Sequence, residues 1–202
     1  MQPELIVIHY TAMHSAGAAL SRLCDPSCEV SAHYLISAGG AVIQLVKEEM
    51  RAWHAGAGTW RGQGDINSRS IGIELDNDGA APFAAAQMDA LEDLLRGVLQ
   101  RWEISPRGVI AHSDMAPGRK FDPGPRFDWP RLARRGLAAA STPSNRILQA
   151  DENQFRALAI AAGYPENTDT HTLLGAVRLR FRPWALGALE MADMSVFPDQ
   201  VA

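Results

Sequence analysis

The chain has 202 residues, 47% of them hydrophobic and 21% charged. That describes an ordered globular protein with room for one full domain and a small second one, and it excludes disorder. A formal net charge of −4 and a pI near 5.8 offer nucleic acid no basic surface, and no apolar run approaches the ~20 residues of a membrane span.

Leu5-Ile6-Val7-Ile8 is a short continuous apolar run, the pattern of a strand buried on both faces of a central sheet. It reads as structure rather than an export signal, so the expected compartment is the cytoplasm, with the periplasm the alternative for a trimmed chain. His9, Tyr10 and Thr11 follow at its end, where ligand groups tend to sit in open α/β sheets. Alone, His9 reads as a hydrogen-bonded histidine capping a strand; with a partner set it becomes a candidate metal ligand. Ala16 to Leu23 reads as a helix with Ser15 as its N-cap. Cys24 and Cys28 flank a short turn that a disulfide could span in an oxidising compartment; in the cytoplasm two reduced thiols are expected. No second cysteine pair exists to complete a zinc site with them.

Residues 30–37 and 41–46 alternate around Ala38-Gly39-Gly40 and read as a β-hairpin. His33 lies in its first strand, as a structural histidine or an ionisable group near a site. In Arg51-Ala52-Trp53-His54-Ala55-Gly56-Ala57-Gly58, small residues let a ligand approach the backbone and Trp53 offers a flat face for a sugar ring; a tight loop around a buried Trp is the alternative. In Ser70 to Asp76, alternation sends Ile71, Ile73 and Leu75 to one face and Gly72, Glu74 and Asp76 to the other. A glutamate in so apolar a strand needs a partner or a task, unless it faces solvent at a sheet edge. Beside a metal-bound water, it could take the proton.

Ala84 to Trp102 has Met88, Leu91, Leu94, Leu95, Val98, Leu99 and Trp102 at helical spacing and reads as a core helix. Residues 107–111 form the next strand and deliver His112 at its C-terminal end. The stretch from Ala111 to Gly124 crowds His112, Lys120 and Asp122 among Pro and Gly, and reads as a loop carrying a site. Imidazole and carboxylate both suit zinc, and a catalytic zinc takes three protein ligands, so His9 is the candidate third beside His112 and Asp122. A closing helix is expected over 127–137, capped by Asp128 with Pro130 in its first turn.

Composition marks a linker from Ala138, assigned to 141–150 between a catalytic domain (1–140) and a helical module (151–202). Helices are expected at 151–162, with Asp151 as N-cap and Gly163 as stop, at 170–181, and over a short stretch within 186–194. Some 50 residues in three helices are marginal alone, so they are expected to dock on the first domain. Every catalytic candidate precedes the linker, so a chain ending near Ser141 is expected to act on soluble substrate.

Five blocks occur in order: Ile8 to Ala12, Val30 to Tyr34, Arg51 to Gly56, Ile71 to Leu75, and His112 to Gly124. Over roughly residues 4–137 they resemble the zinc N-acetylmuramoyl-L-alanine amidases of the amidase-2 (AmpD-like) type, relatives of the peptidoglycan-recognition proteins. The tail around Phe181-Arg182-Pro183-Trp184 is similar to the helical peptidoglycan-binding module of the AmiD-like branch. The resemblance implies an α/β fold, a mixed central sheet flanked by helices. It implies Zn2+ held by His9, His112 and Asp122, with Glu74 and Lys120 catalytic. It also implies hydrolysis of the amide between N-acetylmuramic acid, or its 1,6-anhydro form, and L-alanine in wall turnover. Glu74 would handle the proton and Lys120 would face the developing oxyanion. Tyr10, His33, Trp53, His54 and Arg119 are the candidate substrate contacts, Arg119 either meeting a peptide carboxylate or standing in solvent. The partners implied are muropeptides or intact peptidoglycan, on a monomer. The alternative is a recognition protein that binds without cleaving. An unrelated zinc hydrolase would need a helical His-Glu-x-x-His, which does not occur.

Overall fold

A computed structural model describes residues 1–141 and 149–197. Five strands form one mixed sheet: β1 (Leu5–Tyr10), β2 (Tyr34–Ile36), β3 (Val42–Gln44), β4 (Ser70–Leu75) and β5 (Val109–Ala111), in the order β3-β2-β4-β1-β5. β1, β2, β4 and β5 run parallel, and only β3 is antiparallel. The hairpin strands are shorter than the alternation suggested, because residues 30–33 lie outside β2 and turn towards the loop at 51–55 instead.

The helices are α1 (Ala16–Leu23), α2 (Ala85–Trp102), α3 (His112–Met115), α4 (Trp129–Arg134), α5 (Glu152–Ala162), α6 (Thr170–Phe181) and α7 (Met191–Met194). Ser15 caps α1 through Ala18 N at 3.2 Å, and Asp151 caps α5 through Gln154 N at 2.7 Å. The single-turn helix α3 lies where the sequence read as loop throughout. Asp114, third in that turn, reaches back to accept from Ala111 N at 2.8 Å, and Pro117 and Gly118 then stop it.

Each face of the sheet has its own core. Ile6, Ile8, Ile71, Ile73 and Leu75 pack under α2 and α4 through Met88, Leu91, Leu95 and Leu132. Leu5, Val7 and Ile110 point the other way and are covered by Phe155, Ala159, Leu173 and Val177 of α5 and α6. Leu137 and Ala138 are still buried in the first core, so packed structure extends into the start of the stretch that composition marked as linker. Residues 142–148 of that linker and 198–202 of the tail lie outside the described residues.

The C-terminal helices also partner a buried acid. Asp114 is fully buried, and its carboxylate accepts from Arg180 Nη1 at 2.6 Å and from Tyr164 Oη–H at 2.9 Å. Arg180 further donates to the Val109 carbonyl at 3.0 Å and stacks over Trp129 at 4.0 Å. A chain ending near Ser141 would uncover Leu5, Val7 and Ile110 and leave Asp114 buried without its cation, so it should be insoluble or unfolded rather than an active catalytic domain. Arg180→Met should cost about 3–5 kcal/mol, a fall of roughly 10 °C in Tm, with part recovered in Arg180→Met/Asp114→Asn. A soluble, cooperatively melting fragment 1–141, or an unchanged Tm for Arg180→Met, would contradict this.

Candidate functional site

Parallel pairing assembles the site. His9 and Glu74 are direct partners across β1 and β4, and Ile8 pairs with Ala111 of β5. Three neighbouring strands therefore end at the same edge, presenting His9, Glu74 and His112 side by side. Odd positions of β1 and even positions of β4 share a face, so Glu74 lies opposite Ile71, Ile73 and Leu75, as the alternation indicated. The loop after α3 folds back, with Ser113 N donating to the Asp122 carbonyl at 3.1 Å, and brings Asp122 to the two histidines.

His9 Nδ1, His112 Nδ1 and Asp122 Oδ2 converge at 2.8, 2.9 and 3.0 Å from one another, and all three residues are buried. A tetrahedral ion with bonds of 2.0–2.1 Å spaces its ligands about 3.3 Å apart, so the cluster needs to open by only a few tenths of an ångström. Burial, and next the neighbouring His112, bring His9 down to about 4, so its imidazole is neutral at pH 7, as a ligand must be. Burial pushes the Asp122 carboxyl up, but hydrogen bonds with His112 and His9 outweigh it and hold the group below the usual carboxylate range.

A cleft of about 370 Å³ opens over the cluster, lined among others by Tyr10, Trp53, Glu74, Arg119, Lys120 and Phe121. Trp53 is 51% exposed at its rim, so its flat face is available to a ligand rather than buried. Lys120 and Asp122 share the cleft, although their segment is a turn, with Lys120 N bonded to the Ala116 carbonyl, and not an extended strand. Arg119 lines the cleft, and its Nη2 donates to the carbonyls of Ala55, at 2.7 Å, and Ala57, clamping the loop that carries Trp53 and His54.

His33 is not in the cleft. It is fully buried, with Nδ1 accepting from Gly72 N and Nε2 facing the Met50 carbonyl, each at 3.0 Å, which makes it a structural histidine. His54 does reach the cleft, but its two nitrogens face His9 and Ser70, behind the metal cluster rather than towards a substrate.

Residues 1–125 match the family model Amidase_2, N-acetylmuramoyl-L-alanine amidase. The chain belongs to this family. It is 43% identical over 152 residues to N-acetylmuramoyl-L-alanine amidase AmiD of Escherichia coli K12, an alignment covering 67% of this chain and 54% of that protein. It is 40% identical over 158 residues to the 1,6-anhydro-N-acetylmuramyl-L-alanine amidase AmpD of Salmonella typhimurium SL1344, covering 70% of this chain and 83% of that one. The solved E. coli AmiD, in complex with the substrate anhydro-N-acetylmuramic acid-L-Ala-D-γ-Glu-L-Lys, superposes with a TM-score of 0.88 at 33% identity, over 97% of this chain and 87% of that one.

The chain supports its site through residues the sequence did not single out. Asn67 Oδ1 accepts from His54 N at 3.0 Å and Ala55 N at 2.8 Å, holding the loop from β3 towards β4 against the sheet. The Ala55 carbonyl in turn accepts from His112 Nε2 at 2.8 Å. An Asn before a strand carries no sequence signal of this kind. Phe121, 59% exposed on the cleft, was equally silent within its motif.

Glu74 is the one carboxyl of the cleft without a partner: its Oε2 is buried and has no hydrogen bond. Burial, with the Asp122 charge adding and Lys120 opposing, pushes it up to about 8. An acid that binds its proton more tightly in the folded than in the unfolded state loses stability as pH rises from its unfolded pKa to its folded one, here from 4.5 towards 8. Glu74→Gln never ionises. It should raise the Tm of the metal-free protein by roughly 5 °C at pH 8 and hardly at all near pH 5. A Tm difference independent of pH would show that the Glu74 carboxyl is solvated or paired.

Proposed function

We propose that this chain is a zinc-dependent N-acetylmuramoyl-L-alanine amidase acting on muropeptides, with 1,6-anhydro-N-acetylmuramyl peptides as its preferred substrates. The observation that carries the reading is the placement of a half-buried Glu74, its Oε2 buried and unpartnered, beside the converging His9, His112 and Asp122 in one cleft. Family membership supplies the reaction class, and the anhydro-muropeptide bound to E. coli AmiD supports the substrate. A recognition protein that only binds has no use for a full ligand set with an acid–base residue beside it.

Two imidazoles and one carboxylate are the ligand types zinc favours and leave a coordination position free. His9, His112 and Asp122 would hold the ion, which would lower the pKa of a water to about 7 and polarise an amide carbonyl. Glu74 is the base that accepts the water proton and, once protonated, the acid that returns it to the leaving L-alanine nitrogen. A carboxyl raised by burial above the usual carboxylate range can do both. Lys120 holds a positive charge over the same cleft and stabilises the oxyanion as the amide carbon becomes tetrahedral. Trp53, Tyr10 and Phe121 offer apolar faces around these groups for the sugar ring and stem peptide.

No helix among the described residues is long and apolar enough to cross a membrane. A reducing compartment, where muropeptides arrive as soluble fragments of the wall, would keep Cys24 and Cys28 as thiols. Thiol titration of the freshly isolated protein tests this; a stable bridge would place it outside such a compartment.

Zinc-loaded protein incubated separately with an anhydro-muramyl tripeptide and with sacculi, followed by mass spectrometry, should release free peptide from the soluble substrate first. His9→Ala, His112→Ala and Asp122→Ala should each lose both zinc and activity, since three ligands leave little redundancy. Glu74→Ala should keep its zinc and lose about 10²–10⁴-fold in kcat. An active ligand variant, or loss of zinc from Glu74→Ala, would reassign that residue.

A further inference from the structure

The zinc reading uses Nδ1 of both ligand histidines and turns both Nε2 atoms away from the centre. Behind His112 stands a carbonyl, that of Ala55, which can only accept. Behind His9 stands another imidazole, whose own proton position has to be settled by something further back. His54 Nδ1 lies 3.0 Å from His9 Nε2, His54 Nε2 lies 3.2 Å from Ser70 Oγ, and Ser70 Oγ lies 2.5 Å from the Ile66 carbonyl.

These contacts have one consistent direction. The Ile66 carbonyl has no proton, so Ser70 donates its single hydroxyl proton there. Ser70 Oγ then accepts from His54 Nε2–H. A neutral imidazole carries one N–H, so His54 Nδ1 is left as an acceptor and takes the bond from His9 Nε2–H. With zinc in place of the proton that Asp122 would otherwise accept, His9 keeps its lone pair on Nδ1, the atom facing His112 and Asp122. The reverse chain would put a proton on His9 Nδ1 and block it as a ligand.

We propose that His54 is a positioning residue of the metal centre, the middle of a one-way hydrogen-bond chain through Ser70 to the Ile66 carbonyl that locks His9 in the Nε2-protonated tautomer. The proposal rests on the zinc reading of the site. The sheet is shaped to admit this imidazole: a Cβ on Gly72 would lie 2.3 Å from His54 Cγ, so only glycine at that position of β4 lets the ring cross the strand. The loop is held for it as well, by Asn67 on the backbone of His54 and Ala55 and by Arg119 on the Ala55 carbonyl.

The test pairs zinc affinity, by chelator competition, with the imidazole tautomers read by 15N NMR on the full chain. In the zinc-loaded wild type, His54 should be protonated on Nε2 and His9 on Nε2. His54→Phe, which keeps the ring and loses the acceptor, should weaken zinc binding about 10–100-fold, as expected for a group that orients a ligand. His54→Gln should recover part of that, because its amide can accept from His9 and donate to Ser70. Ser70→Ala should weaken binding less, and His54→Phe/Ser70→Ala should be no weaker than His54→Phe alone, since the two act in series. Affinity of His54→Phe within twofold of wild type, additive losses in the double variant, or His54 protonated on Nδ1 would each overturn the proposal. If His54→Phe does not fold, Ser70→Ala and the wild-type tautomers decide it. A wild type that binds no zinc would instead sink the metal reading, and the His54 tautomer would still report whether the chain through Ser70 exists.

Discussion

The buried carboxylate of Asp114 is the point on which the rest of this structure turns. An unpaired charge in such a place costs several kcal/mol, so it persists only because three donors from separate parts of the chain meet it: Ala111 N from the end of β5, Tyr164 from the segment after α5, and Arg180 from α6. Asp114 sits two residues from His112 in the same helical turn. Satisfying the carboxylate therefore fixes the turn, and the turn aims the imidazole. The C-terminal helices thereby support the turn that carries His112, joined to it by an ion pair and by the apolar face they cover.

Around the cleft the groups divide into those that are satisfied and one that is not. His112 leans on a backbone carbonyl, His9 on His54, and Asp122 on both ligand histidines. Glu74 alone has a buried oxygen, Oε2, without a hydrogen bond. That contrast separates holding a metal from moving a proton. Ligands gain from a fixed protonation state, whereas an acid–base group must exchange its proton at little cost, which a well-paired carboxylate cannot do. The protein accepts some instability at Glu74 to keep it so.

What the sequence made legible follows from this. His9, His112 and Glu74 stand at or next to strand ends in apolar runs, and parallel pairing turns three such ends into one site; residue type and period were enough. Lys120 and Asp122 came with the motif that carries His112. His33 and His54 were indistinguishable on the page, each a histidine among small or β-forming residues. What separates them is which strand neighbour each imidazole meets: a backbone N–H of Gly72 for His33, a ligand histidine for His54. Arg180 reads as one more charge on an amphipathic helix, and its task is visible only when Asp114, 66 residues away, is found against it. The helical turn at His112 was hidden by the Pro and Gly after it, because its stability comes from a side chain reaching backwards rather than from propensity.

The pairing of His9 with Glu74 also explains why the two can have different roles at so short a distance. Adjacent strands lie about 4.8 Å apart, and direct partners point their side chains the same way. A glutamate on the ligand's own strand would sit two residues along, displaced towards the sheet's interior or beyond its edge. On the neighbouring strand it stands level with His9, facing the same cleft. Asp122, arriving from a loop, can close on both histidines because its backbone is free of the sheet's spacing. Glu74 is held by that spacing, beside the cluster rather than within it. The mixed sheet thus does more than carry the residues: its strand separation is what keeps the Glu74 carboxyl beside the His9, His112 and Asp122 cluster without making it part of that cluster.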